Sequence, residues 1–171
     1  MTHIVVHGGL VHLVINCAWL LAFGGAVASR VGSARFLLLT VLTGIAGAAL
    51  FLAFNWGRPV PMVGASGAVS GLMGGAFRFF FAGLDRQSRG YPPEHPAEVP
   101  RMSLVELFTN RRSATAIAVW VGLNALAGFA GPAITGGAGI AWEAHLGGFI
   151  AGLLLFGLVD TGNSSREPLS H

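Results

Sequence analysis

Apolar residues along this chain gather in five long blocks, near 9–28, 36–54, 65–83, 114–131 and 141–159. Each is close to the roughly 20 residues that cross a bilayer as a helix. Gly, Pro and charge punctuate the connections: "SRVGSAR", "NWGRPVPMVG", the polar "DRQSRGYPPEHPAEVPRMSLVELFTNRR" and "GPAITGGAG". The first block is too long for a signal-peptide core and has no positively charged stretch before it, so it reads as a span. The pattern predicts an all-α, polytopic membrane protein with five transmembrane helices. One membrane domain, 1–160, is followed by a short tail, 161–171, and shows no internal repeat. The polar stretch from Asp85 to Arg112 reads as a connector, with an interfacial helix expected at "RMSLVELF".

Composition agrees on the solvent. The 171 residues are 53% hydrophobic and 10% charged, with a mean hydropathy of +0.68; a soluble domain carries roughly twice that charge. Every basic residue is Arg, so the pI of about 10.5 rests on a few guanidinium groups and not on a nucleic-acid-binding face. Those groups report topology, because positive loops stay in the cytoplasm. Arg30 and Arg35 flank the first connection, Arg78, Arg86, Arg89, Arg101, Arg111 and Arg112 surround the third, Arg166 is in the tail, and Arg58 stands alone on the other side. The expected orientation is amino terminus outside and carboxyl terminus cytoplasmic, in the cell membrane. Trp56 and Trp142 then fall near the outer interface. The single cysteine, Cys17, lies inside an apolar block and reads as a helix-packing residue with no disulfide framework.

With depth assigned, the polar residues converge. His7 and His12 lie at the outer end of the first helix, and Asn16 is one turn further in on the face of His12. "GASG", Gly64 to Gly67, opens the third helix from that side, and "WEAHLGG", Trp142 to Gly148, opens the fifth. Polar groups within a span face the bundle interior or a wet cavity, so these are expected to meet. Ser66 and His145 form a nucleophile–base pair, because a serine hydroxyl attacks only once a base takes its proton and a neutral imidazole does so near pH 7. An acyl-transfer transition state also needs donors for its oxyanion. His12 and Asn16 are of the right kind, and Ser66 sits at a helix start, where backbone N–H groups are unpaired.

In these residues the chain resembles the rhomboid intramembrane serine proteases. The resemblance rests on His12 with Asn16 four later and His7 five earlier, on "GASGAVSGLMG" from Gly64, and on "AHLGGFIAGLL" from Ala144, in that order. It covers nearly the whole chain. It implies a Ser66–His145 dyad without a third acid, an oxyanion site made with His12 and Asn16, support from His7, Gly64 and Gly67, and no metal or cofactor. The motif is not the G-x-S-x-G elbow of soluble hydrolases, since position 68 is Ala. The resemblance also implies a six-helix core in which "MTHIVVHGG" matches the segment before the second helix, so a longer parent chain is expected. The implied substrate is a protein's transmembrane helix with small, helix-weakening residues near its outer end. "GPAITGGAG" would be a mobile cap and Trp120 would line a lateral opening.

Each residue has a plainer use. Ser66 alone reads as a helix cap or packing residue, His145 as a ring packed on a carbonyl, and Asn16 as interhelical glue. His3, His7 and His12 lack a nearby Cys or carboxylate to complete a metal site. Their joint occurrence at one depth favours catalysis. A rhomboid-like protein that binds client helices without cleaving them and a truncated, inactive fragment stay open, as does a small transporter, although no inverted repeat or charged path is visible. The glycines support the site in either case: Gly67, Gly71 and Gly75 recur every four residues, and Gly148 and Gly152 share the face of His145.

Overall fold

The computed structural model of the chain describes residues 6–135 and 140–160, with backbone alone for 131–135. Among these residues it is all-helical. The order is α1 (Leu10–Trp19), a π-helical turn (Leu20–Gly24), α2 (Gly25–Val31), α3 (Ser33–Phe54), α4 (Ser66–Ser88), α5 (Leu104–Thr109), α6 (Arg111–Thr135) and α7 (Trp142–Val159). The first three pieces run on as one span, and five helices are long and apolar enough to cross a membrane. The polar tail 161–171 lies outside the described residues.

Two helix boundaries differ from the expected windows. "SRVGSAR" is almost wholly helical: α2 continues through Val31, and Gly32 alone reverses the chain into α3. Gly32 has φ 81°, which a residue with a Cβ adopts only with strain. Likewise α6 runs on to Thr135, so the first half of "GPAITGGAG" is helix, and the rest of the expected cap, 136–139, lies outside the described residues. Ser103 and Glu106 form a capping box at the start of α5, the predicted interfacial helix, which buries Leu107 and exposes Val105 and Phe108. Cys17 is corrected by the structure. It is exposed, because α1 turns only a narrow face to the bundle and that face carries Asn16.

The central helix is α4. It is the least hydropathic of the five spans and the most buried, because association within a bilayer is driven by packing rather than by escape from water. One side of α4 sends Leu72, Ala76 and Phe79 into a cluster with Val27, Leu39 and Phe156. The other sends Met73, Phe77 and Phe81 against Leu107, Phe149 and Leu153. Its closest neighbour is α7, and glycine makes that closeness possible. A Cβ at Gly148 would fall on the Gly67 carbonyl, and one at Gly152 on the Gly71 carbonyl. On the other flank of α7, a Cβ at Gly147 would meet the Ala46 carbonyl and Leu50 of α3.

The end of the bundle away from Ser66 is closed by arginines. Arg30 holds Asp160 through Nε and Nη2, both at 3.0 Å, and both side chains are essentially inaccessible. Its Nη1 donates to the carbonyls of Pro96 (2.6 Å) and Val99 (2.7 Å), and its guanidinium lies 4.7 Å from the Phe79 ring centre. Arg78 donates to the carbonyls of Met102 (2.9 Å) and Leu153 (2.6 Å). Two arginines read from the sequence as topology signals are therefore buried clasps that strap the 96–102 connector to α2, α4 and α7.

These contacts set expectations for stability. Asp160→Ala leaves Arg30 charged, buried and uncompensated, and should cost about 3–5 kcal/mol in detergent unfolding; Arg112→Gln breaks the half-exposed pair with Asp85 and should cost at most about 1 kcal/mol. Gly152→Val must part α4 from α7 and should cost about 3 kcal/mol or prevent folding. Gly122→Ala on α6, with no atom within 4 Å of an added Cβ, should stay within about 0.5 kcal/mol of wild type.

Candidate active site

The starts of α1, α4 and α7 share one end of the bundle, and the predicted residues sit there. Ser66 is the first residue of α4. The first N–H of α4 with a helical partner is that of Val69, bonded to the Ala65 carbonyl at 2.9 Å, so the N–H groups of Ser66, Gly67 and Ala68 lack the usual i−4 acceptor. His145 lies in the first turn of α7. Its Nε2 is 2.7 Å from Ser66 Oγ, a hydrogen bond between side chains 79 residues apart. The glycine contacts just below it, Gly148 on Gly67 and Gly152 on Gly71, hold the two helices close enough for that bond.

His12 approaches from α1. The Gly8 N–H donates to its Nδ1 at 3.2 Å, so its Nε2 carries the proton and is a donor. That edge of the ring lies over Gly64: a Cβ there would sit 2.7 Å from His12 Cε1 and 2.9 Å from Nε2. Gly64 also has φ 108°. The first glycine of "GASG" thus meets two demands, a backbone turn into α4 and room for an imidazole beside the serine.

Asn16 is buried, and its amide Nδ2 donates to the His12 carbonyl at 2.8 Å while its Oδ1 has no partner among the described residues. It thus backs His12 from one turn below. His7 meets His12 edge to face with ring centres 5.3 Å apart, and its enclosed Nε2 has no partner among the described residues. His3 lies outside them. Among the described residues no three His, Cys, Asp or Glu side chains gather where a metal could bind.

One polar residue escaped the sequence reading. Asn124 of α6 places its Oδ1 2.8 Å from His145 Nδ1, and its Nδ2 donates to the Trp120 carbonyl at 2.9 Å. It sits in an apolar block with no motif around it; the only signal was an asparagine within a span, which faces the bundle interior by default. Trp120 itself is half-buried. Its indole stacks on Phe149 with ring centres 4.3 Å apart, which seats α6 against α7. Higher up, Trp142 packs against Phe54 and Phe129 and over Gly128.

Beside Ser66 is a cavity of about 10 Å³, lined by Gly44, Ala48, Met62, Val63, Ala141 and Ala144 among others. It is about the size of one water molecule. The arrangement as a whole offers a hydroxyl bonded to an imidazole, a cluster of backbone donors at a helix start, and a second imidazole N–H facing the same turn. These are the parts that acyl transfer requires.

The comparisons with known proteins agree with this architecture. The family model described as "Rhomboid domain" matches residues 1–160. "Rhomboid protease GlpG" of Yersinia pseudotuberculosis is 30% identical over 169 residues, 97% of this chain and 49% of that protein. "RHOMBOID-like protein 4" of Arabidopsis thaliana is 34% identical over 152 residues, covering 87% of this chain and 30% of its own length. "Rhomboid protease GluP" of Bacillus subtilis is 42% identical over 74 residues, 43% of this chain and 14% of its own. The chain spans half or less of the length of each of these relatives. A family match over the whole bundle, with five helices able to cross a bilayer, makes this chain an integral membrane protein of the rhomboid family.

Proposed function

We propose that the chain is an intramembrane serine protease that cleaves transmembrane helices with Ser66 as nucleophile and His145 as base. The observation that carries this reading is the 2.7 Å bond between Ser66 Oγ and His145 Nε2, made inside a helical membrane bundle where nothing but close packing brings the two together. Ser66 Oγ attacks the scissile carbonyl as His145 Nε2 takes its proton. The developing oxyanion is held by backbone N–H groups at the start of α4 and by His12 Nε2–H, with Asn16 behind it. His145 returns the proton to the leaving amine, and water, activated by the same imidazole, hydrolyses the acyl-serine. The substrate helix must expose its scissile carbonyl, which an intact helix keeps bonded, so small and helix-weakening residues near its outer end are favoured. The arginine distribution supports an outer site and a cytoplasmic carboxyl terminus in the cell membrane.

Mutational outcomes separate these roles. Ser66→Ala and His145→Ala should each abolish cleavage of a reporter helix, with the double variant no worse than either, because the two act as one unit. Asn16→Ala should lose only about 10- to 1,000-fold in kcat, and Gly64→Ala, which displaces His12, should fall in the same range with KM little changed. Wild-type cleavage by Ser66→Ala would remove Ser66 as the nucleophile, and no cleavage or labelling by the wild type would leave the chain as a rhomboid-like client-binding protein. Fluorophosphonate labelling of the wild type, absent in Ser66→Ala, checks the nucleophile independently.

Orientation has its own test. In a Cys17→Ala background, cysteines placed at 92–95 should resist an impermeant thiol reagent in intact cells, while one at Arg58 should react. The reverse pattern would put the site on the cytoplasmic side.

A further inference from the structure

Among the described side chains of α6, Asn124 is the polar one that reaches the candidate catalytic groups, and its own hydrogen bonds determine what it presents to them. The Trp120 carbonyl can only accept, so the Asn124 group 2.9 Å from it is the NH₂. The amide oxygen is thereby turned toward His145 Nδ1, 2.8 Å away. An amide oxygen can only accept as well, so Nδ1 must carry a proton. In the neutral ring the other nitrogen, Nε2, is then a lone pair aimed at Ser66 Oγ. The opposite amide orientation would set two oxygens face to face at Trp120.

We infer that Asn124 is a positioning residue that selects the Nδ1–H tautomer of His145 and fixes its ring plane, so that the base faces Ser66. The inference rests on the dyad proposed above and extends it to a relay from the Trp120 carbonyl through Asn124 and His145 to Ser66. In this arrangement a neutral amide does the work that a carboxylate does in soluble triads, in keeping with a bilayer, where a buried charge is costly. The geometry also gives α6 a catalytic consequence: its stacking contact, Trp120 on Phe149, lies one turn from Asn124 and sets the height at which the amide meets the imidazole.

The test uses the full-length protein in liposomes with a reporter transmembrane helix. Asn124→Leu keeps α6 apolar and should lower kcat about 10- to 100-fold, as loss of an outer partner of a working histidine does, with KM unchanged. Its ¹⁵N-labelled His145, identified by the signal missing in His145→Ala, should show both neutral tautomers where the wild type shows only Nδ1–H. Asn124→Asp keeps the acceptor and should retain kcat within about tenfold of wild type. A merely structural role through the Trp120 carbonyl predicts instead that both variants fail alike, since both lose the amide donor. Equal impairment, or wild-type kcat and a single tautomer in Asn124→Leu, overturns the inference. Should the aspartate variant fail to insert, the tautomer readout of Asn124→Leu decides alone. Ser66→Ala run alongside separates the two readings: if it is dead while Asn124→Leu is unimpaired, only the positioning role falls, and if it still cleaves, both fall.

Discussion

The backbone-to-backbone approach of α4 and α7 is the constraint on which the rest of the molecule depends. Gly148 and Gly152 each lie where a side chain would collide with a carbonyl of α4, from Gly67 and Gly71 respectively. The two pairs share a four-residue spacing, so the helices stay in contact for a full turn and their relative height is set. Ser66 stands one residue before the first of these contacts on α4 and His145 three before it on α7. Once the glycines meet, the serine–histidine distance follows. Lipid supplies no hydrophobic drive for such pairing, so shape and the many small contacts of close backbones must hold it.

The polar groups divide between the two ends of this pair. At the Arg30 end every strong donor is matched: Arg30 is shared among Asp160 and two carbonyls, and Arg78 between two more. These clasps tie the 96–102 connector into the core. At the Ser66 end the matching is incomplete. The Asn16 Oδ1 and His7 Nε2 are enclosed without partners among the described residues, and the first N–H groups of α4 lack helical acceptors. Donors left unsatisfied at a helix start, next to a cavity of water size, suit a site meant to receive a transient charge.

The outer helices α1 and α6 contribute little to the core and much to the site. Each delivers one side chain to a group held by the central pair: His12 enters over Gly64, and Asn124 meets His145. Beyond that, α6 adds Ile117 to the cluster of Phe149 and Leu153 and stacks Trp120 on Phe149.

The sequence by itself determined the solvent, the five spans and the set of chemical groups. A run of apolar residues has no other stable solution in a bilayer than a helix, and a serine, two histidines and an asparagine at matching depths can satisfy one another only inside the bundle. Helix ends were less legible. The stretch around Gly32 and the start of "GPAITGGAG" read as loops from their glycine and charge, yet Arg30 finds a buried partner in Asp160, and the helix continues to bring it there. Tertiary structure alone decided that Cys17 faces outward, that Trp120 packs inward, and that Asn124 joins His145. The physical reason is common to all three. Rotation and height of a membrane helix are set by side-chain contacts with its neighbours, and an apolar span such as α6 carries almost no asymmetry along its own sequence to announce which face will be chosen.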